Sequence, residues 1–257
     1  KRTVILLGKD SLDWYNEIRN EGIAMYYVMS DIHGEYEKYL AMLKKIAFSE
    51  EDTLFILGDV LDRGPSPMAV LQDMMSYPNI YPLLGNHELM AMDILYQLNT
   101  EIRQDNYASV LNQDTMQKLI DWQLNGGQTT LLSFQSLDLQ QRADILDYLT
   151  EFSLYEVIDV QDKSYILTHA GLGNFHIHKK IKDYSIAELV WNRPNDNQVT
   201  LPDKNTFIIC GHTPTLSFHG KPEIYHVNQH IYIDCGACFS NGKLACLCID
   251  TMEEFYV

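Results

Sequence analysis

Gly58-Asp59-Val60-Leu61-Asp62-Arg63-Gly64 follows the apolar run Thr53-Leu54-Phe55-Ile56-Leu57. The run reads as a buried strand; Gly58 ends it, and Gly64-Pro65 is turn chemistry. Asp59, Asp62 and Arg63 are therefore expected on a loop at the C-terminal end of a strand, where ligands bind in open α/β sheets. A carboxylate so placed can hold a hard cation, and one bridging two cations serves both. Alone, such an Asp is more often a turn or capping residue.

Four other stretches repeat the arrangement. Ser30-Asp31-Ile32-His33-Gly34 follows Tyr26 to Met29, and Gly85-Asn86-His87-Glu88 follows Ile80 to Leu84. Thr168-His169-Ala170-Gly171 follows Tyr165 to Leu167, and Cys210-Gly211-His212-Thr213 follows Phe207 to Ile209. Strand-like runs that each end in a loop carrying Asp, Asn or His can assemble a metal site along one sheet edge. Asp31 and His33 are two apart and can turn toward one cation. Oxygen and imidazole together suit manganese, iron or zinc better than calcium or magnesium.

A chain of 257 residues can form one large α/β domain or two small ones. No repeat or low-complexity linker divides it, so a single domain over 1–257 is expected. The net charge of −16 argues against a nucleic-acid-binding surface, which needs Lys and Arg against phosphates. It leaves room for a phosphorylated substrate held locally by metals and a few arginines. The cysteines, Cys210, Cys235, Cys238, Cys246 and Cys248, are odd in number and crowded late in the chain. That is no disulfide framework and points to a reducing cytoplasm. Cys235-x-x-Cys238 with Cys246-x-Cys248 hints at zinc. The last two share one face of an apolar strand, where free Cys packs as a small hydrophobe, and that reading is preferred. His176-x-His178 reads as solvated rim. No apolar run approaches the ~20 residues of a membrane span. Val4 to Leu7 is too short for a signal peptide, so no membrane partner is expected.

Residues 1–24 precede the first motif and read as an N-terminal extension. From Tyr26 strands and helices alternate. Helical periodicity covers Tyr36 to Phe48, a second helix opens at Ser66-Pro67, and a third covers 88 to 98. This order predicts parallel strands. Asn99 to Glu151 lacks a strand pattern and reads as a helical insertion broken at Asn125-Gly126-Gly127. It either selects substrate beside the site or only thickens the helical layer. From Leu154 shorter strands and tight turns predict a second, mainly antiparallel sheet.

Taken in order, Asp31-x-His33, Gly58-Asp59-x-x-Asp62-Arg63-Gly64, Gly85-Asn86-His87-Glu88, His169-Ala170-Gly171 and Gly211-His212 resemble the calcineurin-like metallophosphoesterases. Within them the pattern is most similar to the PPP serine/threonine protein phosphatases, in their compact bacterial and lambda-phosphatase-like branch. Asn125-Gly126-Gly127 after Trp122 is similar to the helical segment of those members. The resemblance implies an α/β fold, a sandwich of two mixed β-sheets flanked by helices. It implies two divalent metal ions, manganese first, with iron or zinc as alternatives. Asp31, His33, Asp59, Asn86, His169 and His212 would hold them, Asp59 as the bridge.

The same resemblance makes His87 a general acid, Asp62 its orienting carboxylate and Arg63 a phosphate ligand. Arg193, the only arginine between His169 and His212, takes a second phosphate-binding place. The implied reaction is hydrolysis of a phosphate monoester, by direct attack of a metal-bridging hydroxide on phosphorus. The implied substrate is phosphoserine or phosphothreonine in a protein or peptide. The main rival is a symmetrical dinucleoside tetraphosphatase with the same fold and metals. Such enzymes usually carry Asp after Gly-Asn-His, so Glu88 tilts the reading toward protein substrates. A small-molecule phosphomonoesterase is a further rival. A non-catalytic binding module is disfavoured because the full ligand set is present.

Overall fold

A computed structural model describes residues 23–99, 112–193 and 200–257. Most of the N-terminal extension (1–22) and the first part of the inserted segment (100–111) lie outside the described residues.

The first sheet has the order β10-β9-β1-β2-β3: β1 Tyr26–Met29, β2 Thr53–Ile56, β3 Ile80–Pro82, β9 Ala245–Cys248 and β10 Glu254–Tyr256. β1, β2 and β3 are parallel, as the alternation with helices predicts. The intervening helices are α1 Tyr36–Lys45 and α2 Pro67–Met74. Pro67 sits in the first turn of α2, where its missing N–H costs nothing. The second sheet has the order β4-β5-β6-β8-β7: β4 Tyr155–Val160, β5 Lys163–Thr168, β6 Thr206–Cys210, β7 Tyr225–Val227 and β8 His230–Tyr232. It is mixed rather than mainly antiparallel, because β5, β6 and β8 run parallel and only the outer pairs are antiparallel.

Side-chain alternation explains the layers. Val28, Phe55, Leu57 and Leu247 face Tyr165, Leu167, Ile209 and Ile231 between the two sheets. Tyr27, Met29, Leu54 and Ile56 point the other way and pack under Tyr39, Met42, Leu71, Ile94 and Leu95 of the helices. Cys246 and Cys248 lie in that same apolar layer. Ile208, Cys210 and Tyr232 cover the far side of the second sheet, against Leu189 and Val190. Those two belong to the short helix α7, Ile186–Val190. The described part of the insertion forms three helices, α4 Gln113–Leu124, α5 Gln128–Gln135 and α6 Leu139–Thr150. Their Trp122, Phe134, Ile145 and Leu149 join the core beneath the first sheet.

The third helix begins earlier than periodicity predicts. α3 spans Asn86–Leu98, so Asn86 and His87 lie in its first turn instead of a loop. The cause is Glu88, whose carboxylate accepts the Gly85 N–H at 3.0 Å and closes a capping arrangement.

Candidate metal centre

The parallel strands of both sheets deliver their C-terminal ends to one edge of the sandwich. Backbone hydrogen bonds tie the loops together there. Asp31 N–H donates to Gly58 O at 3.1 Å, His33 N–H to Asp59 O at 2.9 Å, and Gly211 N–H to His169 O at 2.8 Å. Among the eleven described non-glycine residues with positive φ, six are Asp31, His33, Asp59, Asp62, Arg63 and His212. Each such residue costs about 1–2 kcal/mol, and strain of this kind clusters where a site over-determines its backbone.

Two compact groups result, each with its ligand atoms within 4.8 Å of one another: His33, Asp59 and His87, and Asp59, His169 and His212. Asp59 belongs to both. Asn86 joins the second, its Oδ1 2.9 Å from His169 Nε2. Asp31 is buried beside them and is not in either group. Its carboxylate accepts the His212 N–H at 3.0 and 3.2 Å and a hydrogen bond from the Ser30 hydroxyl. Ser30 therefore has a partner in the site. Arg193 Nη1 donates to His212 O at 3.1 Å.

The donor set fits cations. His169 Nδ1 is 2.7 Å from Leu57 O and must donate, since a carbonyl only accepts. In neutral His169 the lone pair is then on Nε2, which faces Asn86 Oδ1, His212 Nδ1 at 3.2 Å and Asp59 Oδ1 at 3.3 Å. His33 Nδ1 likewise donates to Leu61 O at 2.8 Å, leaving its Nε2 lone pair 3.7 Å from Asp59 Oδ2. Backbone carbonyls that fix the tautomer this way are the usual support of metal-binding imidazoles. Burial pushes His33 and His212 down to about 3 and also lowers His169, which keeps all three neutral, the form that can ligate a metal.

His87 behaves differently. Burial opposes its protonation, but Asp59 and the hydrogen-bonded Asp62 outweigh that and raise its pKa. Its Nδ1 lies 2.7 Å from Asp62 Oδ2. Its Nε2 and that of His33 accept from the Arg63 guanidinium, at 2.9 and 2.7 Å. Asp62 is fully buried and has further partners that spacing did not reveal, Trp122 and Thr130 of the insertion. The one local signal was Trp122 ahead of Asn125-Gly126-Gly127. Buried Asp234 was also missed, although it follows β8 as Asp31 follows β1; its charge and that of Asp59 add to burial in raising the Asp31 pKa.

A profile of the calcineurin-like phosphoesterases matches residues 25–234. A symmetrical bis(5'-nucleosyl)-tetraphosphatase from Neisseria meningitidis is 32% identical over 99 residues, 38% of this chain and 36% of that protein. Its counterpart from Delftia acidovorans is 35% identical over 98 residues, 37% of this chain and 35% of that protein. The match thus spans about a third of the length of these curated relatives. Among solved structures, one provisionally assigned as a diadenosine tetraphosphatase superposes with a TM-score of 0.61 at 16% identity, over 91% of this chain and 96% of that one. A serine/threonine protein phosphatase from Saccharomyces cerevisiae gives 0.51 at 13% identity, over 93% and 82%. At such identities the likeness is one of fold.

Proposed function

The chain belongs to the calcineurin-like phosphoesterase family, and from that we propose that it hydrolyses dinucleoside polyphosphates, splitting a dinucleoside tetraphosphate into two nucleoside diphosphates. The observation that carries the hydrolytic reading is the pair of donor groups sharing Asp59, with Arg63 hydrogen-bonded to His33 and His87 of the first. The substrate class is supported by the named relatives, which are symmetrical tetraphosphatases over the matched third of their length.

His33 and Asp59, with Asp31 beside them, would hold one divalent cation, and Asp59, Asn86, His169 and His212 the other. Manganese is the metal to supply first. Two such cations would lower the pKa of a water between them and offset charge on the phosphoryl oxygens. Arg63 and Arg193 bind those oxygens, Arg63 through its planar fork. When a phosphoryl oxygen takes the Arg63 guanidinium, His87 Nε2 is released to carry a proton. As water adds to phosphorus and the bridging P–O bond breaks, His87 gives that proton to the departing oxygen. Asp62 holds the Nδ1–H and so keeps Nε2 aimed at the leaving group.

Glu88 does not select the substrate. Its two oxygens accept the backbone N–H groups of Asp59, Val60, Leu61 and Gly85, so the carboxylate is spent on the loop. The tilt toward phosphoproteins that rested on this residue therefore has no support.

The test offers metal-stripped protein, resupplied with Mn²⁺, diadenosine tetraphosphate and a phosphoserine peptide at equal concentration. Faster turnover of the dinucleotide, with ADP as the only product, is expected. Faster release from the peptide would overturn the substrate class, and release from neither would overturn the hydrolytic reading.

A further inference from the structure

The inserted helices touch the site at the backbone and carboxylate that support the acid. Trp122, fully buried near the end of α4, donates its indole Nε1–H to Asp62 Oδ2 at 2.8 Å. That is the oxygen 2.7 Å from His87 Nδ1. Thr130, buried in the first turn of α5, donates its hydroxyl to Asp62 Oδ1 at 2.6 Å. The same hydroxyl accepts the Asp62 N–H at 2.9 Å. One hydroxyl thus pins the Asp62 backbone to its own carboxylate. The next residue is held similarly, since Arg63 N–H donates to Gly126 O at 3.0 Å.

These bonds fall on two consecutive left-handed residues, Asp62 at φ 70° and Arg63 at φ 65°. L-residues avoid that conformation, so the pair needs outside support. The turn between α4 and α5 is shaped to give it. A Cβ at Gly126, itself at φ 102°, would come within 2.7 Å of Arg63 Cγ, and one at Gly127 within 2.4 Å of the Trp122 ring. Asn125-Gly126-Gly127 is therefore a close-approach surface rather than a mere helix break.

We propose that Trp122 and Thr130 are positioning residues for the reaction: by fixing the Asp62 carboxylate and the Asp62–Arg63 backbone, they set the aim of the His87 imidazole and the Arg63 guanidinium. The inserted segment is then neither a substrate selector nor a spare helical layer at this point, but the buttress of the acid. A carboxylate with one partner can swing; with donors on both oxygens it offers His87 a single acceptor direction. The kinetic form of this inference rests on the hydrolase reading, and its spectroscopic form does not.

The experiment compares wild type with W122F, T130V, T130S, H87N and the W122F/H87N double variant. Two aryl phosphates of similar shape, p-nitrophenyl and phenyl phosphate, differ mainly in leaving-group basicity. Weakened acid assistance should lower kcat on phenyl phosphate by about 10-fold or more in W122F and T130V, with KM little changed and a much smaller loss on p-nitrophenyl phosphate. T130S, which keeps the hydroxyl, should stay near wild type. W122F should add little in the H87N background, because the two act as one unit. Equal losses on both esters, or full additivity with H87N, would overturn the proposal.

In metal-free protein the downfield imidazole proton absent from H87N reports the His87–Asp62 bond directly. It should shift or exchange faster in W122F and T130V and persist in T130S. If wild type hydrolyses neither ester, the kinetic comparison falls away, the hydrolase reading is left to its own test on diadenosine tetraphosphate, and this resonance alone decides; its persistence unchanged in both W122F and T130V would overturn the inference. T130V is nearly isosteric and keeps the test open if W122F does not fold.

Discussion

His87 divides its two ring nitrogens between Asp62 and the Arg63 guanidinium, and that division makes a leaving-group prediction. A nucleoside diphosphate departs as a weak base, whereas a serine alkoxide is strongly basic and needs its proton. H87N should therefore cost about 10²–10⁴ in kcat on a phosphoserine peptide and far less on diadenosine tetraphosphate. Steady-state kinetics on the two substrates check this, and equal losses would remove His87 from the proton path. Asp59 makes the complementary prediction for metals. It is the one carboxylate common to both donor groups, so D59N should lower the manganese content from two ions per chain to one or none. Elemental analysis after desalting decides it, since two retained ions would mean that Asp59 does not bridge.

At the scale of elements, Glu88 ties the loop after β2 to the start of α3. Glu88 is fully buried and takes four backbone N–H groups, those of Asp59, Val60, Leu61 and Gly85. A buried donor left without a partner costs about 1–3 kcal/mol. E88A should therefore destabilise the protein by roughly 3 kcal/mol or more, seen as a lower urea midpoint, and E88Q by less because its amide oxygen still accepts. E88D shortens the reach without removing the charge. It should weaken the fold while leaving the ratio of dinucleotide to phosphopeptide turnover unchanged. A changed ratio would return Glu88 to the question of specificity.

For the whole molecule, two conditions should set stability. Cations that bind only the folded chain raise its melting temperature by mass action, about 2.7 kcal/mol at a hundredfold excess over Kd. Chelation should lower the melting temperature and manganese restore it. In metal-free protein acid should act through the buried histidines of the site, His33, His169 and His212, and also through His230, which is buried in β8 and held down to about 4 by that burial. At His230 the unfolded chain takes up the proton near pH 6.5 and the folded chain only near 4, so stability falls as pH drops through that window. The loss at His230 is on the order of 3 kcal/mol. In metal-free protein H230F should flatten the decline between pH 6.5 and 4 in denaturant titrations, and an unchanged slope would refute this.

The sequence by itself determined which chemistry-bearing side chains end which strands. Strand ends, turns and short motifs such as Asp31-x-His33 and Gly85-Asn86-His87 are local, and apolar runs with Gly and Pro mark them. It also determined the parallel β1–β2–β3 unit, through the strand–helix alternation. The strand and turn pattern after Leu154 pointed to a mainly antiparallel second sheet, while the motif resemblance implied a mixed one; the tertiary structure decided for the mixed sheet, because β8 pairs with β6 as well as β7 and no local pattern encodes that. It alone placed Asp31 against the His212 amide and outside the two compact groups. It alone joined Asp62 to Trp122 and Thr130, 60 and 68 residues away in sequence. A residue's own chemistry and neighbours set its local backbone, whereas its hydrogen-bond partner across the core depends on how whole elements pack.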